Sequence, residues 1–242
     1  MKVKITLSYD GSQFQGFQAQ RDGTSTVANH LENAFDALGI APHFHGSGRT
    51  DSGVHATGQV IDIDLPVYWA DLSSLKRRLN WYLTPSVSIH RIEEVDADFH
   101  ARFSAKRRVY RYLVKSGRPS VFAASYCYYH AQDIDMPTIQ AGMDCLLGVH
   151  DFASFSKRGS EPHSTVREIF SAKIYRYHDV LVFRFEADGY LRSQIRMMMA
   201  FLLKINDGDL GLDDLKMQLE EQVYRSRSLV PPSGLYLAKV LY

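Results

Sequence analysis

The sequence predicts an α+β protein made of ferredoxin-like (RRM-like) halves. Two observations lead there. Hydrophobic periods in the first hundred residues alternate between strand and helix type in the order β-α-β-β-α-β, that of an antiparallel sheet with helices on one face. From residue 105 onward, strand-like runs again mix with amphipathic helices.

Taken in order, Val3, Ile5, Leu7 and Tyr9 alternate with polar residues as in a half-buried strand, which Asp10-Gly11-Ser12 ends. Thr24-Ser25-Thr26 then offers a cap to a helix carrying Val27, Leu31, Ala34, Phe35 and Leu38, with Gly39 just past its end. A short strand is expected at His43–His45, another through Val60, Ile61, Ile63 and Leu65 to Pro66, a helix from about Leu72 to Tyr82, and a strand from Val87 to Val95. Beyond these, Val109–Val114 reads as a strand and Met136–Leu147 as a helix with Pro137 in its first turn. Val166–Tyr177 and Val180–Ala187 form a hairpin around His178-Asp179. Leu191–Ile205 is an apolar helix, Leu212–Val223 an amphipathic one, and Leu235, Leu237 and Val240 mark a closing strand. The domain boundary is placed near Ser104, giving domains 1–104 and 105–242. No low-complexity segment or short-period repeat appears.

Composition narrows the class. A chain of 242 residues with 45% hydrophobic and 23% charged residues can bury a core without a structural metal. Two cysteines, Cys127 and Cys145, are too few for a disulfide framework or a four-thiolate zinc site and read as small hydrophobes. No apolar run is long enough to span a bilayer, and the alternating N-terminus is unlike a signal peptide, so a cytoplasmic location without membrane contact is expected. The net charge of +1 hides a segregation. Residues 99–118 hold Arg102, Lys106, Arg107, Arg108, Arg111, Lys115 and Arg118 and no acid, whereas 207–221 are acidic. The basic stretch is either a solvated strand face or a surface for phosphates.

The chemistry concentrates in Gly46-Ser47-Gly48-Arg49-Thr50-Asp51-Ser52-Gly53-Val54-His55-Ala56. Its glycines allow positive φ and close approach, and it lies between two expected strands, where a sheet presents its loops. The spacing is that of neither a P-loop nor a dinucleotide-binding turn. Asp51, the one carboxylate here, has three roles open to it: turn cap, metal ligand, or nucleophile or base. His43, His45 and His55 raise a metal reading, but no carboxylate or cysteine stands at zinc-site spacing, and no metal is expected.

The same loop, with Gly58-Gln59-Val60 after it, resembles the catalytic motif of the TruA family of tRNA pseudouridine synthases. The resemblance extends in order along the chain. It takes in Tyr9-Asp10-Gly11-Ser12 with Phe14, Gly16, Phe17 and Gln18, and Phe99-His100-Ala101-Arg102-Phe103-Ser104-Ala105 with Arg108-Val109-Tyr110-Arg111-Tyr112. It continues through Gly148, His150-Asp151-Phe152, Ser154-Phe155 and Thr165-Val166-Arg167. Gly189-Tyr190-Leu191-Arg192 with Gln194-Ile195-Arg196, and Pro231-Pro232 with Gly234-Leu235, Leu237, Val240 and Tyr242, complete it. Phe17 stands where the family usually has Trp, no glycine follows the arginine motif, and Asn206-Asp207-Gly208 replaces its usual Val-Gly pair.

The resemblance implies two ferredoxin-like halves whose sheets join, with an RNA-binding cleft between them, and isomerisation of uridine to pseudouridine without a cofactor. It places the target on the 3′ side of the anticodon stem-loop, tRNA positions 38 to 40, and implies a homodimer. Asp51 matches the catalytic carboxylate, Arg196 the arginine that pairs with it, and Tyr110 the active-site tyrosine, which stacks on the base or shuttles the C5 proton. Arg49 matches an arginine that holds the base out of its stem, and Arg102, Arg108 and Arg111 would meet phosphates. His150-Asp151 is a structural motif in these terms. Two other readings stand beside this one: a divergent paralogue modifying another RNA, and a non-catalytic RNA-binding or chaperone protein on the same scaffold.

Overall fold

The computed structural model describes residues 1–20, 24–157, 159 and 163–242. Its elements run β1 (Lys2–Tyr9), α1 (Val27–Ala37), β2 (Phe44–Gly46), β3 (His55–Asp64), α2 (Leu72–Leu83), β4 (Val87–Glu94), β5 (Arg107–Ser116) and β6 (Tyr128–His130). They continue with α3 (Met136–Asp144), β7 (Gly148–Asp151), β8 (Val166–Tyr177), β9 (Val180–Ala187), α4 (Gln194–Asn206), α5 (Leu212–Glu220) and β10 (Leu235–Leu241). The chain divides into two compact units, Met1–Lys106 with Tyr236–Tyr242, and Arg107–Leu235.

In the first unit the strands lie in the order β4-β1-β3, all antiparallel, with β2 antiparallel on one end of β3 and β10 parallel on the other. Val3, Ile5, Leu7 and Tyr9 are all buried, as their alternation predicts. Thr26 caps α1 by accepting the Asn29 N–H, and Val27, Leu31, Ala34 and Phe35 form its buried stripe. Asp71 caps α2 by accepting from Ser73 and Ser74, and Leu75, Leu79 and Leu83 bury its inner face. α2 packs on β4 and against α1.

β3 begins at His55, five residues before the strand expected from Val60, because His55 and Ala56 pair with Tyr236 and Leu237 of β10. The sequence groups those closing residues with 105–242, but they cluster with the first unit. Lys106 N–H donates to the Leu241 carbonyl, and Tyr242 Oη donates to the Ala101 carbonyl at 2.9 Å.

The second unit orders its strands β7-β8-β9-β5, antiparallel throughout, with β6 parallel on β5. α3 packs on β8 and against α4 and α5. Tyr112, Phe155, Phe183, Phe185 and Phe201 are fully buried between these layers. α4 starts three residues later than its apolar run suggests. Ser193 sits in the left-handed region at φ 59, and the Gln194 side chain takes up the Leu191 N–H at 2.8 Å. Asn206 and Asp207, which depart from the family pattern, anchor the end of α4. Asn206 bridges the backbone of Asp133 and Asp135, and Asp207 Oδ1 lies 2.7 Å from His130 Nε2. α3 and α5 each end about three residues short of their expected limits, at Asp144 and Glu220.

On the sheet of this unit, Glu186 receives Arg107 at 2.9 Å and also Arg184. These bonds hold its carboxyl below the usual carboxylate range, against the opposing effect of burial. A depressed folded-state pKa gives stability that is present above the unfolded value and is lost as pH falls through the folded one. Glu186→Gln is therefore expected to lower stability by about 1–3 kcal/mol near neutrality, with the difference from wild type closing below about pH 4. Urea denaturation across pH measures this.

Candidate active site

The Asp51 loop is framed by the segment that follows β1. Thr50 is buried; its Oγ1 meets Tyr9 Oη at 2.9 Å, and its carbonyl accepts the Phe17 N–H at 3.1 Å. Gly53 N–H reaches the Phe14 carbonyl at 3.3 Å, and Val54 N–H closes the turn on the Asp51 carbonyl at 3.1 Å. Upstream, buried Gln59 accepts Ser47 Oγ at 2.7 Å and donates to the Gly48 carbonyl at 3.0 Å. Bonds on both sides thus hold the turn, and Asp51 is half-buried on it. Arg49 is exposed.

Two glycines make the approach possible. A Cβ on Gly11 would stand 2.1 Å from the Val54 carbonyl oxygen. Gly16, at φ 101, would set one 3.0 Å from the Thr50 carbonyl oxygen. The functional residues that the sequence did not single out are these supports: Tyr9, Gly11, Thr50 and Gln59. Tyr9 and Gly11 stand in the opening motif, but only the folded structure shows that they hold the loop.

Tyr110 and Arg196 lie in the second unit. Tyr110 on β5 faces Phe185 of β9 and is buried. The Tyr190 ring meets it edge-on, with centroids 5.2 Å apart. The Tyr190 hydroxyl is buried and has no hydrogen-bond partner among the described residues; burial, with Tyr110 and Glu186 adding to it, pushes this phenol well above its ordinary range. Arg196, in the first turn of α4, donates from Nε to the Val230 carbonyl at 2.9 Å, and its own carbonyl accepts the Val230 N–H. The side chain is half-buried with its stem fixed, rather than trailing into solvent.

The basic stretch is not uniformly available to a ligand. Arg107 is engaged by Glu186 and Lys115 by Asp179 at 2.7 Å, and Arg108 donates to the Asp188 carbonyl at 2.7 Å. Arg111 is exposed, and Arg102, also exposed, packs over the Phe103 ring at 5.5 Å. Among the described residues no three His, Cys, Asp or Glu side chains gather as a metal site requires. His45 instead meets Asp62 at 3.2 Å and stacks near His100. His150 bonds the Leu147 carbonyl and Asp151 accepts the Ala153 N–H, which are turn-closing contacts. Burial pushes the Cys127 thiol up to about 11, while Cys145 is half-buried.

The sequence model of the tRNA pseudouridine synthase family matches residues 5–104 and 143–242. A tRNA pseudouridine synthase A of Wolinella succinogenes is 42% identical over 98% of this chain and 92% of its own length. One of Campylobacter jejuni is 37% identical over the whole of both chains, and one of Limosilactobacillus fermentum is 40% identical over all of this chain and 96% of its own. The chain belongs to the TruA family of tRNA pseudouridine synthases, isomerases that convert uridine to pseudouridine in tRNA.

The loop frame makes a direct prediction. Gly11→Ala drives a methyl group into the Val54 carbonyl, so the turn carrying Asp51 must shift. Because misplacement of about 1 Å at a reacting group can cost about 10²-fold, tritium release from 5-³H-uridine tRNA is expected to fall by at least about tenfold per folded molecule. A melting curve supplies the folded fraction.

Proposed function

We propose that this chain isomerises uridine on the 3′ side of the anticodon stem-loop, at tRNA positions 38 to 40, with Asp51 as the catalytic carboxylate. We also take it to act as a cytoplasmic homodimer, as the family resemblance implies. The observation that carries the Asp51 assignment is its turn: this is the one carboxylate of the glycine-rich loop, and bonds to Tyr9, Phe14 and Phe17 fix the backbone on both sides of it. A catalytic group requires that rigidity.

The reaction breaks the C1′–N1 bond, turns the uracil and forms a C1′–C5 bond. The C5 proton leaves to solvent and N1 regains one, so atoms balance without a co-reactant. A carboxylate attacking the nucleoside and a carboxylate removing the C2′ proton to give a glycal are both compatible with this loop, and each needs Asp51 ionised. RNA covering the loop would expel water and favour the neutral acid unless a cation compensates. Arg196 supplies the guanidinium for that role. Tyr110 supplies the aromatic face for the flipped base, a contact worth about 1–3 kcal/mol. Arg49, exposed on the catalytic loop, takes the space the base vacates, offsetting an extrusion cost of a few kcal/mol. Arg102 and Arg111, both exposed, meet phosphates, and Arg108 does so through guanidinium nitrogens other than the Nη1 that bonds the Asp188 carbonyl.

The test is tritium release in EDTA from unmodified tRNA labelled at uridine C5. Asp51→Ala should bind tRNA within a few-fold of wild type and lose turnover by about 10³-fold or more. Full tritium release by Asp51→Ala would remove it from the chemistry; binding by both proteins with release by neither would favour the binding-only reading. Separately, Arg111→Ala should weaken tRNA binding and reduce the slope of log K against log salt by about 1, as for one lost phosphate contact. Filter binding from low to moderate salt reads this, and an unchanged slope would exclude Arg111 from the interface.

A further inference from the structure

His55 stands four residues after Asp51 at the first position of β3, and the proposed chemistry leaves it unused. It is 2% exposed. A buried imidazole costs free energy that a phenylalanine or leucine in the same place would not, unless its polar atoms have work there. Its Nδ1 accepts the Gly11 backbone N–H at 3.0 Å, which fixes the ring proton on Nε2. Asp10 Oδ1 lies 3.4 Å from the same nitrogen, and the ring stacks on Tyr236 with centroids 4.6 Å apart and planes 17° from parallel.

These contacts fall at the downstream end of the Asp51 turn. On the upstream side, Thr50 is bonded through both its hydroxyl and its carbonyl. Downstream, Gly53 N–H reaches the Phe14 carbonyl, the turn closes on Val54 N–H, and the next residue is His55. Gly11 touches that junction at van der Waals limits, with no room for a Cβ beside the Val54 carbonyl. The bond from Gly11 to His55 therefore ties the segment after β1 to the base of the turn.

We infer that His55 is a positioning residue for Asp51: its unprotonated Nδ1 holds the Gly11 backbone, and its ring, seated on Tyr236, fixes where the Asp51 turn begins and ends. The inference rests on the Asp51 reading above. It requires that the imidazole serve as a hydrogen-bond acceptor and not only as filler.

Variants of the full chain separate those roles. His55→Phe keeps a buried, stackable ring and removes the acceptor. His55→Asn places Oδ1 where Nδ1 stands and removes the ring. Turnover, KM and tRNA affinity are measured on unmodified tRNA, normalised to the folded fraction from melting curves, with Asp51→Ala alongside. The expected result is a fall in kcat of about 10²-fold for His55→Phe with KM within a few-fold, because only transition-state geometry is lost. His55→Asn is expected to recover at least about tenfold of it. Where His55→Phe does not fold, His55→Leu takes its place. Wild-type kcat in the acceptor-less variant, no recovery by His55→Asn, or a rise in KM in place of the loss in kcat would each overturn the inference. An active Asp51→Ala would instead overturn the reading beneath it. An inactive Asp51→Ala beside a fully active His55→Phe removes His55 alone.

Discussion

The contact of two backbones at Gly11 and Val54 is the constraint on which the Asp51 loop depends. Neither segment is long enough to hold a defined shape by itself. One follows β1 and the other precedes β3, and β1 and β3 are paired along their length. That pairing delivers both segments to the same end of the sheet. The missing side chain at position 11 then lets them touch, and Tyr9, Phe14, Phe17 and Gln59 supply the bonds that fix them. The Asp51 loop gains its rigidity from the strand register, through main-chain bonds and through the side-chain bonds of Tyr9, Thr50 and Gln59. Substitutions that leave Asp51 intact but alter that register act on the same chemistry.

The electrostatics follow a related logic. Seven cations fall between residues 99 and 118, yet the folded chain does not present seven free charges. Two of them are held by acids distant in sequence, Arg107 by Glu186 and Lys115 by Asp179, and Arg108 is turned to a carbonyl. Arg102 and Arg111 of this stretch are exposed.

Much of this was legible beforehand, for identifiable reasons. Strand β1 and helices α1 and α2 carry clean periods of two and 3.6 with capping residues at their starts, so local preference and tertiary burial agree. The family motifs nominated Asp51, Tyr110 and Arg196 as candidate site residues without any structure. Hidden from the sequence were features set by distant partners. β3 begins at His55 because β10 lies beside it, a pairing 181 residues apart at Tyr236. The start of α4 depends on a left-handed Ser193 and on the Gln194 side chain, neither of which alters the hydrophobic pattern. Asn206 and Asp207 looked like departures from a motif; in the fold they tie α4 to the segment before α3.

The placement of the closing strand sets an order of events during synthesis. The first unit contains residues 1–106 and 236–242, so its sheet lacks β10 until the whole intervening unit has left the ribosome. Domains usually fold as they emerge, N-terminal first. Here the N-terminal unit finishes last. Until Tyr236 arrives, His55 has no aromatic ring to stack on and the start of β3 has no parallel neighbour. A nascent chain would carry its Asp51 loop in an incomplete setting until residues 236–242 arrive to complete it.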